Sequence, residues 1–143
     1  MRSLSCLCIL VAVAAVGCSY STPMAVEPPP ADKGVFSGTV TYLERSALPP
    51  NALVTVRVWD ALEPPESATV GQTQFVAQGQ VPLPFQLFFD PALIQKSHTY
   101  GARASITVEG TVWFESQKPV PVLTQGAPTV GVELLVQRSA KLP

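Results

Sequence analysis

The sequence predicts an all-β domain of about seven antiparallel strands, arranged as a sandwich or as a partly closed barrel. The chain has 143 residues and 15 prolines, which oppose long helices, and 47% of its residues are hydrophobic, which opposes disorder. From Gly34 onward, apolar residues alternate with polar ones at a period of two, with turn residues between the runs. Because the connections are too short for crossover helices, we expect antiparallel pairing.

The first four runs are separated by proline-containing breaks. Pro49-Pro50-Asn51 predicts a rigid turn before the second run, because successive prolines fix φ. Pro82 and Pro84 cannot donate to a strand ladder, so the fourth run is expected at a sheet edge. The residues predicted to face the core are Phe36, Gly38, Val40 and Tyr42, then Val54, Val56 and Val58, then alternate residues of 70–77, then Phe85, Leu87 and Phe89.

The last three runs follow Asp90-Pro91, where the aspartate can accept hydrogen bonds from the next backbone N–H groups and begin a turn. Residues 91–97 are the only segment that could hold a helical turn. Gly110 separates the fifth and sixth runs and predicts a hairpin, with residues 111–115 as its second strand. The inward residues predicted for the fifth and seventh runs are Tyr100, Ala102, Ala104, Ile106 and Val108, and Val130, Val132, Leu134 and Val136.

Residues 1–17 are predicted to be a lipoprotein signal peptide. Arg2 supplies a positive charge before about 13 apolar residues, too few to cross a bilayer, which needs about 20. Gly17-Cys18 then resembles a bacterial lipobox, in which the cysteine is acylated on its sulfur and becomes the mature N-terminus, although Ala15 stands where Leu is usual. The alternative is an ordinary signal peptide followed by a chance cysteine.

Lipidation explains why Cys18 is left unpaired. Cys6 and Cys8 would leave with the signal peptide, and a single remaining thiol cannot close an intramolecular disulfide. Two or more acyl chains on Cys18 would anchor the protein firmly. Ser19 stands where inner-membrane retention of bacterial lipoproteins commonly requires Asp, so the lipobox resemblance points to the outer membrane, facing the periplasm. Residues 18–33 are then predicted to be the lipidated cysteine and a flexible Pro-rich tether, whose residues 19–33 reach about 45 Å at most, and residues 34–143 are predicted to form the domain.

No residue is predicted to be catalytic, and no cofactor or metal site is predicted. His98 is the only histidine, no nucleophile-elbow pattern surrounds any serine, and we expect an exposed turn histidine. Asp60, Glu63 and Glu66 flank one Pro-rich loop, which we interpret as solvated, since calcium would need more oxygens at tighter spacing. The net charge of -1 argues against a nucleic-acid partner.

Large apolar residues on the outward phase of the strands predict a partner-binding surface. Trp59, Phe88, Trp113 and Leu135 all fall on this phase, and large aromatic groups on an outer face tend to mark an interface. The alternatives are that a neighbouring loop or the tether covers these residues, or that the strand register differs by one residue.

Several short motifs resemble one family. These are Gly38-Thr39-Val40-Thr41-Tyr42, Ala47-Leu48-Pro49-Pro50-Asn51-Ala52, Val54-Thr55-Val56, Val81-Pro82-Leu83-Pro84-Phe85, Asp90-Pro91 followed by Tyr100 and Arg103, and Pro121-Val122-Leu123-Thr124. Over about residues 35–138 the chain resembles the YbaY/YscW-like lipoprotein domain. The resemblance implies a small outer-membrane lipoprotein of a Gram-negative bacterium. Some similar proteins are pilotins, which carry a type III secretion secretin subunit to the outer membrane.

The residues and the resemblance together favour a non-enzymatic outer-membrane lipoprotein that binds another envelope protein, with a secretin subunit among the candidates. It would act either as a pilotin-like chaperone or as an envelope-maintenance factor. The alternative is a β-sandwich lipoprotein that binds a small ligand or a glycan.

Overall fold

The computed structural model describes residues 32–140, and within them it confirms the all-β prediction. The predicted signal peptide, Cys18 and nearly all of the tether lie outside the described residues, as do residues 141–143 at the end of the predicted domain. The described part contains nine strands and one 3₁₀ turn. They are β1 (Gly34–Thr41), β2 (Leu53–Asp60), β3 (Thr69–Val76), β4 (Leu83–Phe89), the 3₁₀ turn Pro91–Leu93, β5 (Tyr100–Val108), β6 (Thr111–Glu115), β7 (Val120–Val122), β8 (Val132–Leu135) and β9 (Gln137–Arg138).

The strands form two sheets that face each other as a sandwich. One sheet has the order β4-β1-β8, and the other has the order β3-β2-β5-β6-β9, with β7 also paired to β5. All pairs are antiparallel except β1 with β8, which run parallel. The expectation of antiparallel pairing throughout is wrong for this pair. Short connections restrict only consecutive strands, whereas β1 and β8 are joined by residues 42–131, which supply the crossover themselves.

The alternating residues predicted to face the core do so in most of the strands. All five predicted inward residues of β5 are buried, and Phe36, Val54 and Leu134 from the other strands lie in the same core. Val130 is an exception, since it is 70% exposed and precedes β8. The seventh predicted run is also divided. Its buried Val136 donates its N–H to the Thr41 carbonyl at 2.8 Å, and the chain then crosses to the other sheet as β9.

Three turns form where the sequence predicts them. The Ala52 N–H donates to the Pro49 carbonyl at 3.1 Å, which closes the proline turn before β2. The Ala92 N–H donates to Asp90 Oδ1 at 2.9 Å and caps the 3₁₀ turn. Glu109 and Gly110 take left-handed backbone angles, with φ of 50° and 80°, in the tight hairpin between β5 and β6.

Candidate partner-binding site

Trp59 lies on the outer face of the larger sheet, as its phase predicts, but it is covered. Its exposed fraction is 4%, so the prediction that it is an exposed surface residue is wrong. The Arg103 guanidinium lies over the ring, 5.3 Å from its centroid, and Pro65 and Glu66 line the same depression. Arg103 on β5 therefore covers one face of the ring and the loop after β2 lies beside it, in agreement with the alternative that neighbouring groups cover this tryptophan.

Trp113 is also displaced from the predicted surface. A β-bulge between β5 and β6 pairs Ile106 with Phe114 and Thr107 with Val112, which leaves Trp113 without a direct partner on β5. The extra residue changes the local direction of the side chains. Trp113 is half-buried and packs against the core, so the prediction that it is an exposed surface residue is wrong too.

Phe88 and Leu135 are exposed, at 41% and 38%, but they are not neighbours. Phe88 pairs with Val35 and Leu135 pairs with Thr41, so they lie at opposite ends of β1. Six residues of strand separate these two ends, which is about 20 Å. The four predicted residues therefore do not form one surface, and binding of a partner by Phe88 or Leu135 stays a prediction.

The structure instead contains an apolar groove of about 450 Å³ at one end of the sandwich. Its apolar lining consists of Phe89, Pro91, Ile94 and Leu123. Two polar residues, Lys96 and Gln125, also line the groove. One wall follows β4 through the 3₁₀ turn, and the other is the loop after β7. Lys96 has no carboxylate within 4.0 Å among the described residues, so its positive charge faces the groove unpaired.

The loop after β7 presents Leu123 through an unusual backbone conformation. Leu123 has φ of 69° and Gln125 has φ of 56°, both in the left-handed region, which costs a residue with a Cβ about 1–2 kcal/mol. Three backbone hydrogen bonds hold the loop. The Thr124 N–H donates to the Val122 carbonyl at 2.9 Å, the Ala127 N–H to the Thr124 carbonyl at 3.0 Å and the Leu123 N–H to the Pro128 carbonyl at 3.4 Å. Strained residues of this kind cluster at binding sites.

Side-chain hydrogen bonds join the two walls of the groove. The Thr124 hydroxyl donates to the His98 carbonyl at 2.7 Å, which ties the β7 loop to the segment before β5. The buried Tyr100 hydroxyl accepts from the Gln95 N–H at 2.9 Å and donates to the Leu93 carbonyl at 3.3 Å. These bonds fix the segment that carries Ile94 and Lys96, so the groove is formed before any partner binds.

His98 is not the exposed turn residue that the sequence predicts. Its Nδ1 makes a short contact with Asp60 Oδ2, and Asp60 is 8% exposed. The hydrogen bond from His98 lowers the pKa of Asp60, burial of the carboxyl acts in the opposite direction, and the Leu62 N–H also lowers the pKa by donating to Oδ1 at 3.0 Å. Asp60 is therefore a structural anchor rather than part of a solvated acidic loop, whereas Glu63 and Glu66 are exposed.

The described part of the chain has few other features that indicate a chemical or membrane role. Between residues 32 and 140, no three His, Cys, Asp or Glu side chains converge as a metal site would require. Every buried side-chain nitrogen or oxygen in this range has a hydrogen-bond partner. The same range contains no helix with the length and apolarity needed to span a bilayer.

Comparison with known proteins identifies the family. A family described as type III secretion system lipoprotein chaperone (YscW) matches residues 31–134, which is most of the chain. The chain belongs to the YscW lipoprotein-chaperone family. The predicted resemblance to YbaY/YscW-like lipoproteins is thereby confirmed.

Two individual proteins are also similar to this YscW-family chain. The lipoprotein YbaY of Escherichia coli (strain K12) is 31% identical over 121 residues, a match that covers 83% of this chain and spans 64% of YbaY's own length. An alternative pilotin from the type II secretion system of Vibrio cholerae has a similar structure, with a TM-score of 0.66 and 34% identity. That match covers 75% of this chain and 99% of the pilotin. The comparisons favour a chaperone-type lipoprotein over the ligand- or glycan-binding alternative.

Sequence reasoning missed the groove because its walls are far apart in the chain. Phe89 and Leu123 are 34 positions apart, and no periodicity connects them. The signal that could have found it was already present in two motifs of the family resemblance. Asp90-Pro91 and Pro121-Val122-Leu123-Thr124 lie in the two opposite walls.

Proposed function

We propose that this protein is an outer-membrane lipoprotein, anchored by acyl chains on Cys18, that captures a secretin-like envelope protein in the periplasm. Its working site is the apolar groove between the 3₁₀ turn and the loop after β7. It acts by binding, without catalysis. The family and the pilotin neighbour support this class of function, and the groove supplies a place for a partner.

The position of the groove relative to the tether carries the proposal. Gly34, the first residue of β1, pairs with Phe89 at the groove, and Lys33 Nζ lies 3.8 Å from Asp90 Oδ2. The tether therefore joins the domain beside the groove. A partner held there stays within about 45 Å of the lipid, the extended reach of the fifteen residues 19–33. The start of the domain and the proposed binding site thus share one end of the sandwich, which suits delivery of a bound partner to a membrane.

The lining of the groove defines the part of the partner that fits. Phe89, Ile94 and Leu123 favour an apolar segment, because a partner would bury the apolar surface that these half-buried side chains still expose, at about 25 cal/mol per Å². The unpaired Lys96 adds a preference for an acidic residue near that segment. We therefore assign the groove to an amphipathic segment of the secretin that carries an acidic residue.

Leu123→Gly tests the groove most directly, because it should weaken partner binding while the fold is kept. Glycine is favoured at φ of 69°, so relief of backbone strain offsets part of the lost packing, while the apolar side chain disappears from the groove. We expect the full-length lipoprotein to keep its fold and to lose co-purification with the secretin of its own cell at least about 10-fold.

Glu109→Gly is the matched control, since Glu109 also has positive φ, at 50°, but lies in the β5–β6 hairpin away from the groove. It should capture the secretin as the wild type does. A second pair of variants tests the positive charge at the groove. Lys96→Glu should weaken capture of the secretin about 3- to 10-fold, whereas Lys118→Glu, at an exposed position elsewhere, should leave capture unchanged. Equal secretin recovery with Leu123→Gly and Glu109→Gly would refute the groove as the site.

A further inference from the structure

Two arginines face each other on the outer surface of the larger sheet. Arg57 on β2 and Arg103 on β5 are direct partners in the antiparallel register, while the adjacent Val58 and Ala102 are fully buried in the core. Directly opposed residues bring their Cβ atoms to about 4.5–5.5 Å, and like charges so placed repel each other. The fold thus holds two guanidinium groups together on a face away from the groove.

The protein supplies only neutral partners to these two charges. The Arg57 Nε donates to Gln72 Oε1 at 3.0 Å, and the Arg103 guanidinium lies over the Trp59 ring. The ion pairs in residues 32–140 involve Lys33 and His98, so neither arginine has a carboxylate oxygen within 4.0 Å. Hydrogen bonding and ring stacking orient both side chains, and no direct ion pair holds either guanidinium.

The two arginines line a depression of about 240 Å³. Thr55 and Ser105 line it from the adjacent row of the sheet, and the Thr55 hydroxyl accepts from Gln74 Nε2 at 2.9 Å, which leaves its O–H free to donate. Glu66 and Glu115 line it too and keep their negative charges, although Glu115 Oε1 accepts a hydrogen bond from the Ser139 hydroxyl at 2.8 Å. The volume is below the roughly 300–1,000 Å³ of drug-sized pockets, so a small anionic group fits best.

We infer that Arg57 and Arg103 form a binding site for a phosphate group. A carboxylate has two oxygens and one charge, enough for one guanidinium fork. A phosphate group offers more oxygens and up to two charges, so it can join both guanidiniums and cancel their repulsion. The hydroxyls of Thr55 and Ser105 add neutral donors beside them. This inference is independent of the proposed capture of a secretin.

Isothermal titration of the full-length lipoprotein in detergent, with inorganic phosphate at constant ionic strength, tests the site. We expect saturable binding that Arg57→Gln and Arg103→Gln each weaken about 10-fold or more, the loss of one charge-assisted contact. Arg45→Gln, at an exposed position in the loop after β1, is the matched control and should bind phosphate like the wild type. Phosphate should also change the fluorescence of Trp59, because Arg103 lies over its ring.

Two further measurements test the electrostatics of the phosphate site and the source of its ligand. Glu66→Gln should strengthen phosphate binding, because Glu66 lines the same depression and repels the anion. Glycerol 3-phosphate distinguishes the source of the ligand: tighter binding than inorganic phosphate assigns the site to a lipid headgroup, and equal binding assigns it to the free ion. Absence of saturable binding, or equal affinities for Arg57→Gln and Arg45→Gln, would overturn the inference.

Discussion

At the scale of single residues, Asp60 and His98 join the end of β2 to the segment that forms one wall of the groove. Asp60 Oδ2 contacts His98 Nδ1, and the next residue, Ala61, donates its N–H to the Thr99 carbonyl at 2.8 Å. The His98 carbonyl in turn accepts from Thr124 in the opposite wall. The pair therefore helps to hold the shape of the groove without lining it.

Removing this pair should destabilise the protein in a pH-dependent way. The hydrogen bond from His98 holds the pKa of folded Asp60 below its usual value. Its stabilisation is therefore full above about pH 3.9, the ordinary pKa of an unfolded aspartate, and is lost as the pH falls through the lower pKa of the folded state. At pH 7 we expect Asp60→Asn and His98→Ala each to reduce the free energy of unfolding by about 1–3 kcal/mol.

Urea unfolding at pH 7 and at about pH 2.5 measures this effect. The difference between wild type and Asp60→Asn should shrink at the lower pH. Glu63→Gln, at an exposed position on the same loop, should match the wild type at pH 7. A difference between wild type and Asp60→Asn that stays constant across the pH range would contradict the role of the carboxylate.

Trp59 should contribute to stability rather than to partner capture. Because its ring is covered by neighbouring side chains, Trp59→Gln should lower the free energy of unfolding by about 2–4 kcal/mol. Leu135→Gln, on the outer face of the other sheet, should cost less than about 1 kcal/mol. Denaturant unfolding followed by circular dichroism compares the two. Equal midpoints for Trp59→Gln and wild type would mean that Trp59 is free on the surface.

The residue patterns predict whether a side chain points inward, but not what covers it. The outward phase of Trp59 follows from the period of two along β2, whereas its burial depends on Pro65, Glu66 and Arg103, which no local pattern brings to it. His98 is similar: its contact with Asp60 joins positions 38 residues apart. Long-range contacts of this kind decide the candidate site and cannot be derived from periodicity.

At the scale of elements, the parallel pair of β1 and β8 depends on one glycine. Gly38 pairs with Val132, and a Cβ on Gly38 would overlap the Val132 backbone carbonyl. The two backbones can approach each other only because Gly38 has no side chain. This contact fixes the last strand of the smaller sheet and starts the crossing of the chain to β9.

Gly38→Ala should therefore loosen β8 selectively. The new methyl group must push the Val132 backbone away, and we expect a loss of about 1–3 kcal/mol, typical of overpacking. Ser37→Ala, the neighbouring outward position on β1, is the control and should change stability by about 0.5 kcal/mol or less. Hydrogen exchange should report faster exchange in β8 for Gly38→Ala alone. Unchanged protection of Val132–Leu135 would contradict this account of the pair.

The elements themselves were largely predictable, because strong alternation and proline breaks determine β1, β2, β4 and β5. The strand β7, the separation of β9 from β8 and the parallel pairing of β8 with β1 were not. β7 is three residues long with Pro121 at its centre, so it has no detectable alternation. The parallel neighbour of β1 depends on the approach at Gly38, which a sequence pattern does not encode because any inward position of a strand can hold a small residue.

At the scale of the whole molecule, the point where the chain enters β1 and the groove lie at the same end of the sandwich. The tether meets the domain at Gly34, which pairs with Phe89 in the lining of the groove. Under the proposed function, this arrangement holds the bound secretin segment close to the membrane, and the rest of the domain faces the periplasm.

The proposed lipid anchor on Cys18 can be tested separately. Cys18→Ser should abolish acylation, so the protein should either appear in the soluble periplasmic fraction or remain unprocessed. Mass spectrometry of the wild-type protein should find an acylated N-terminal Cys18 in the outer membrane. A mature N-terminus at another residue, without lipid, would refute the anchor.

The most direct test of the central proposal is the distribution of the secretin between inner and outer membranes in cells that lack this lipoprotein. The wild-type gene should restore the secretin to the outer membrane, and so should Glu109→Gly. Leu123→Gly should fail because it cannot hold the secretin, and Cys18→Ser should fail because it cannot reach the membrane. If the secretin assembles equally well in the outer membrane with and without the lipoprotein, the protein does not deliver it and the proposed function is wrong.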